Sequence, residues 1–155
     1  MRLGTRARYA VMAMVDLACQ CNGRPVSLGE IAERQEISLC YLEQLFAKLR
    51  RAGLVKSVRG PGGGYRLAHD RDDIRIGDII CAVDEPIRAV RCTPGAIGCR
   101  SDRSRCLTHD LWEELGNQIN LYLASVSLAD VCEKRVLGTS GLAQREAYRA
   151  AVAAK

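Results

Sequence analysis

Apolar residues recur at helical spacing through the first third of the chain. Over residues 5–21, Val11, Met14, Val15 and Ala18 share one face, while Tyr9, Ala13, Asp16 and Gln20 share a more polar one. This predicts an amphipathic helix that stops near Asn22-Gly23. In "PVSLGEIAERQ" a second helix starts at Ser27, and Glu30, three residues on, completes a capping box. "ISLCYLEQLFAKLRRAGL" predicts a third helix, capped by Ser38. Leu42, Leu45, Phe46 and Leu49 form its core-facing stripe, and Gly53 ends it.

The period then changes. "LVKSV" and "YRLA" are short strand-like runs, separated by "RGPGGG". Four glycines and a proline in six residues exclude helix, so the segment reads as a hairpin with a long tip. "IRIGDIICAVDEP" predicts a short helix ending before Pro86. From Leu107 a long helix is expected, with an apolar stripe of Leu111, Leu115, Ile119, Tyr122 and Val126, widened by Trp112 and Leu123. "SLADVCEKR" predicts a final short helix with Ser127 as its cap, and the Ala-rich remainder reads as a frayed or disordered tail. The expected fold is mainly α. A winged helix-turn-helix with a two-stranded wing occupies residues 1–83, a loop and linker 84–106, the long and final helices 107–137, and the tail 138–155.

Charge sharpens this division. Residues 1–69 carry 11 Lys and Arg against 5 Asp and Glu, whereas residues 70–155 carry 12 against 13. The cationic excess therefore lies in the half with the helix-turn-helix, as a polyanion-binding half requires. No run is apolar and long enough to span a membrane. The N-terminus loosely resembles a lipoprotein signal, but Asp16 interrupts its apolar run, so it reads as part of the mature protein. A cytoplasmic protein is expected, and in a reducing compartment eight cysteines point to metal or redox chemistry instead of a disulfide framework.

In a winged helix-turn-helix the second helix of the pair enters the major groove, and here the wing would track an adjacent groove or the backbone. The polar face of the third helix presents Cys40, Tyr41, Glu43, Gln44, Lys48 and Arg51. Gln reads adenine by a bidentate contact and Glu accepts from the cytosine amino group. Glu43 is a candidate discriminator, because a carboxylate facing phosphates is repelled unless it finds such a donor. Arg59 precedes the wing tip and suits a narrow minor groove, and Gly62, Gly63 and Gly64 permit close backbone approach to phosphates. The plainer alternative for Glu43 and Gln44 is a solvated helix face.

"RCTPGAIGCRSDRSRCLTHD" holds the second candidate site. Six residues separate Cys92 from Cys99 and Cys99 from Cys106, and two separate Cys106 from His109. Arg91, Arg100, Arg103 and Arg105 beside the cysteines favour thiolates, as does the start of the long helix. Three thiols and an imidazole suit zinc or an iron–sulfur cluster, although the spacing matches neither zinc fingers nor ferredoxins. A disulfide switch and unliganded thiols are the alternatives. Cys81 and Cys132 read as core residues, and Cys19 and Cys21 close the first helix without an evident role. The sequence shows no evident catalytic constellation: His69 and His109 have no obvious Ser or Asp partners in sequence, and no phosphate-cradling loop precedes a helix, so no enzyme is expected.

"RYAVMAMVDLA", "ISLCYLEQLFAKLRRAGLVKSVRGPGGGYRLA", "AVDEP" and "RCTPGAIGC…CLTHDLW" resemble the IscR family of bacterial iron–sulfur-cluster-sensing transcription regulators, over about residues 1–137. The resemblance implies a homodimer joined by the long helix. It also implies a [2Fe–2S] cluster, received from the assembly machinery, on Cys92, Cys99, Cys106 and His109. It implies duplex-DNA contacts from Ser38, Cys40, Tyr41, Glu43, Gln44, Arg50, Arg59, Pro61, Gly62 and Gly63, and control of cluster-assembly genes. Two departures stand out. Familiar members have five residues between successive cysteines where this chain has six, and Cys40 replaces an expected serine. A zinc-stabilised or thiol-redox-sensing regulator is the alternative function, and a metal-trafficking protein that reuses the fold without DNA is a third.

Overall fold

The structure is a computed structural model and describes residues 4–21, 23–83 and 104–137. Helix α1 spans Thr5–Gln20, α2 Leu28–Gln35 and α3 Leu39–Arg51. Strands β1 (Val55–Val58) and β2 (Gly64–Leu67) form the antiparallel wing, with Val55 opposite Leu67 and Val58 opposite Gly64. Helix α4 spans Ile76–Ala82, α5 His109–Ser125 and α6 Leu128–Cys132, followed by a 3-10 turn over Arg135–Leu137.

Local signals explain most boundaries. The Ser27 hydroxyl accepts from the Glu30 N–H at 3.2 Å, and the Glu30 carboxylate accepts from the Ser27 N–H at 2.8 Å. This is the reciprocal capping box that satisfies the first orphan donors of α2. Ser127 and Asp130 repeat it at α6. Gly53 follows the last residues of α3 at φ 77°, a left-handed position that only glycine adopts without strain.

Leu42, Leu45, Phe46 and Leu49 bury the inner face of α3 against Met14 and Leu17 of α1, Ile31 of α2, and Ile79 and Ile80 of α4. The Phe46 ring meets Tyr65 of the wing edge-on at 4.9 Å between centroids. Val26, just before α2, exchanges two backbone hydrogen bonds with Tyr65, at 3.0 and 2.8 Å. A Cβ on Gly64 would overlap the Val26 backbone. The wing is therefore joined to the helix-turn-helix by backbone as well as by side chains.

Several expectations need correction. Ser38 stands at the N-cap of α3, but its side chain accepts no capping hydrogen bond. Asp16, on the more polar face of the first helix, is buried, because Arg34 Nε reaches both of its carboxylate oxygens at 3.0 and 3.1 Å and ties α2 to α1. Ala13 is likewise buried, since small residues at 7, 10 and 13 let neighbouring helices approach α1. Cys81 is exposed and Cys132 is half-buried, so neither is a core residue.

The long helix begins at His109, two residues later than expected. Leu107 is fully exposed, so nothing rewards its inclusion, and the ladder opens with the Trp112 N–H on the Thr108 carbonyl at 3.2 Å. It also ends before Val126, which turns extended and accepts from the Ile76 N–H at 3.0 Å. The expected tail lies outside the described residues.

Candidate nucleic-acid interface and ligand loop

Helix α3 turns its apolar stripe inward, and helical spacing then forces Cys40, Glu43, Gln44, Ala47 and Arg51 onto the opposite face. Cys40, Glu43, Gln44, Arg50 and Arg51 are exposed. Gln44 Nε2 lies 3.9 Å from Cys40 Sγ one turn earlier, so these two side chains run together along the face. Tyr41 is half-buried, with its ring edge-on to Tyr9 of α1 at 5.9 Å. That contact holds the ring against α1 and leaves part of it accessible.

The wing follows immediately after α3 in the chain. Its tip turns through Gly60 at φ 108° and Gly62 at φ 71°, closed by the Gly63 N–H on the Gly60 carbonyl at 2.9 Å. Arg59, Pro61 and Gly62 are exposed, and Gly63 is half-buried. Lys56 and Arg66 stand directly opposite each other across the strands and are both exposed. Like charges at opposed positions destabilise a sheet. A polyanion on that face relieves the repulsion. The cross-strand register, which the sequence alone does not supply, is what reveals this pair.

Of the four expected cluster ligands, Cys106 and His109 fall among the described residues, whereas Cys92 and Cys99 lie outside them. Cys106 is half-buried and His109 buried, one turn apart, with the His109 N–H on the Cys106 carbonyl at 3.0 Å. Both sit at the start of α5, where the helix dipole stabilises a thiolate or an anionic group. Arg105 pairs with Asp110 across this start at 3.2 Å. His109 Nε2 lies 3.6 Å from the carboxylate of Glu113. Ligand atoms of His109, Asp110 and Glu113 come within 4.8 Å of one another. Glu113 was legible in sequence only as the i+4 neighbour of His109. A thiol and an imidazole three residues apart are donor types that suit half of a mixed thiolate–imidazole set.

The remaining face of α5 is apolar and open. Leu111, Trp112, Leu115, Leu121 and Tyr122 are exposed, while the C-terminal end of the helix packs on α4. Among the described residues, no helix is long and apolar enough to cross a membrane.

The family model for Rrf2, an iron-dependent transcriptional regulator, matches residues 3–134. The IscR transcriptional regulator of Aliivibrio salmonicida is 53% identical over 131 residues, covering 84% of this chain and 77% of that protein. The IscR of Photorhabdus laumondii is 49% identical over 151 residues, covering 97% and 91%. Among solved structures, T. potens IscR superposes with a TM-score of 0.70 at 41% identity, covering 87% of this chain and 88% of that one. CymR, the global cysteine regulator of B. subtilis, gives 0.73 at 35% identity, covering 86% and 98%. These relatives are transcription regulators and not enzymes, and they share the winged-helix fold described above. The chain belongs to the Rrf2 family of transcriptional regulators.

Proposed function

We propose that this regulator binds duplex DNA as a homodimer and that its promoter choice or affinity responds to an iron–sulfur cluster. In this reading Cys92, Cys99, Cys106 and His109 hold a [2Fe–2S] cluster received from the assembly machinery, and the target genes include those for cluster assembly. The observation that carries it is the position of a half-buried Cys106 and a buried His109, three residues apart at the start of α5, in a chain whose relatives are IscR regulators. The cluster supplies a redox- and iron-sensitive group, and histidine ligation raises its potential relative to all-thiolate ligation. The chain's own part is to seat that group where the loop meets the long helix.

DNA recognition falls to α3 and the wing. Gln44 and Glu43 read base edges, with Cys40, Tyr41 and Ser38 beside them. Arg50, Arg59 and the backbone of Pro61, Gly62 and Gly63 engage phosphates or the minor groove. The unit of residues 1–83 acts as the reader, and residues 107–137 join two copies through the open apolar face of α5.

Anaerobic isolation tests the cluster. A brown protein with visible charge-transfer absorption, and roughly two irons and two sulfides per chain, is expected. The second reading is a zinc-stabilised loop, favoured by the carboxylates of Asp110 and Glu113 beside His109. A colourless, zinc-loaded protein establishes it and overturns the first. Duplex binding that weakens steeply with salt separates both from a regulator-like fold that does not touch DNA.

A further inference from the structure

Cys19 lies in the last turn of α1 and is exposed. Cys132 is the last residue of α6, which packs on α1. Its Sγ lies 3.9 Å from the Val15 carbonyl oxygen. In an α-helix that carbonyl accepts from the N–H of residue 19, so the Cys132 sulfur is stationed on the very turn that carries Cys19. Burial first, and the neighbouring Cys19 thiol second, push the Cys132 thiol up to about 12. On its other side Cys19 lines an open cleft of about 530 Å³ between the end of α1 and the base of the wing. Cys21, His69, Arg66 and Arg71 share that cleft.

We propose that Cys19 and Cys132 form a redox-responsive disulfide, with Cys19 as the peroxide-reactive thiol of this cleft and Cys132 as its resolving partner. The assignment of roles follows from surroundings. Cys19 is exposed and lines the open cleft, where a small oxidant reaches its sulfur from solvent. Cys132 is shielded and held as a thiol, so it stays unreactive until an electrophilic sulfur is formed beside it.

The steps balance as follows. The Cys19 thiolate attacks one oxygen of hydrogen peroxide, the O–O bond breaks, and the departing hydroxide takes a proton to become water. Cys19 is then a sulfenic acid. The Cys132 sulfur attacks the Cys19 sulfur, the S–O bond breaks, and hydroxide leaves with the Cys132 proton as a second water. Two thiols have lost two electrons and two protons, and one peroxide has become two waters. The product staples α1 to α6, which follows the long helix. Neither cysteine belongs to the set Cys92, Cys99 and Cys106, so the proposal does not rest on the cluster reading.

The test uses the purified full-length chain, treated with stoichiometric hydrogen peroxide, alkylated, digested without reductant and mapped by mass spectrometry. A peptide joining Cys19 to Cys132 is expected. In Cys132→Ser, and in Cys132→Ala as a packing control, the cross-link is lost and dimedone captures a sulfenic acid at Cys19. In Cys19→Ser, Cys132 remains alkylatable. The oxidised wild-type chain also unfolds several degrees higher than the reduced one, a shift absent from all three variants. The proposal is overturned if both thiols stay alkylatable after the exposed Cys40 has been oxidised. It is equally overturned if Cys19 joins Cys21 or a cysteine of the 92–106 loop instead.

Discussion

The helices around Phe46 and the long helix α5 treat their apolar residues in opposite ways. In the first region Met14, Leu17, Ile31, Leu42, Phe46, Leu49 and Ile79 are completely or almost completely shielded. In the second, Leu111, Trp112, Leu115, Leu121 and Tyr122 remain open to water. Among the described residues, six of the nine exposed large apolar side chains lie between residues 107 and 122, so the exposure is concentrated and not scattered. A patch of this kind on one helix marks an interaction surface. The first region is covered by its own packing, whereas the second leaves an apolar surface that, in the proposed homodimer, a second copy covers.

Breaking the self-sufficient region has the largest expected effect. Phe46→Ala removes a fully buried ring that contacts Tyr65 of the wing, and it is expected to lower stability by about 3–5 kcal/mol. Urea unfolding checks this, and an unchanged midpoint would remove Phe46 from the core. The corresponding break in α5 leaves stability almost intact. Leu111→Arg combined with Leu115→Arg is expected to yield a folded monomer in analytical ultracentrifugation, with unchanged far-ultraviolet circular dichroism. Operator affinity should fall by about 100-fold or more, because the second half-site is then no longer tethered.

The Asp16–Arg34 pair gives a smaller and asymmetric test. Arg34→Ala strands a carboxylate whose side chain is only 4% exposed, and about 2–3 kcal/mol is expected. Asp16→Ala leaves a guanidinium that is 35% exposed and can turn to water, so about 1 kcal/mol is expected. Equal losses in chemical denaturation would contradict this. The smallest effect is on pH dependence. Hydrogen bonds from the backbone and then the side chain of Ser27 hold the Glu30 carboxyl below its usual range, and Ser127 does the same for Asp130. Each carboxylate therefore contributes stability above the ordinary carboxylate pKa and loses it as pH falls through the lowered value. Ser127→Ala should flatten the acid limb of a plot of melting temperature against pH.

Short-range devices were the legible part of this molecule. The Ser27–Glu30 box, the α3 stripe, Gly53 and the glycine-rich tip each involve residues within one or two turns of chain, and the structure places all of them as read. Long-range choices were not legible. Asp16 reads as a member of the more polar face until Arg34 of the next helix arrives, and Cys132 reads as apolar until it meets Cys19. The start of α5 was misread because periodicity counts Leu107 as a stripe member, while its burial depends on what stands opposite. At the candidate site the residue types were legible, but the opposition of Lys56 to Arg66 needed the strand register.

The attachment of α5 has a mechanical consequence. Its C-terminal end is clamped, with the Ile76 N–H on the Val126 carbonyl and the Leu128 N–H on the Ile74 carbonyl at 2.8 Å. Its 17 residues extend about 25 Å from that clamp to His109. The helix is thus a lever with its pivot beside α4, and α4 rests on α1 and α3. A sideways push at the Cys106–His109 end would reach α1 and α3 through that pivot, without the preceding loop having to touch α3 at all.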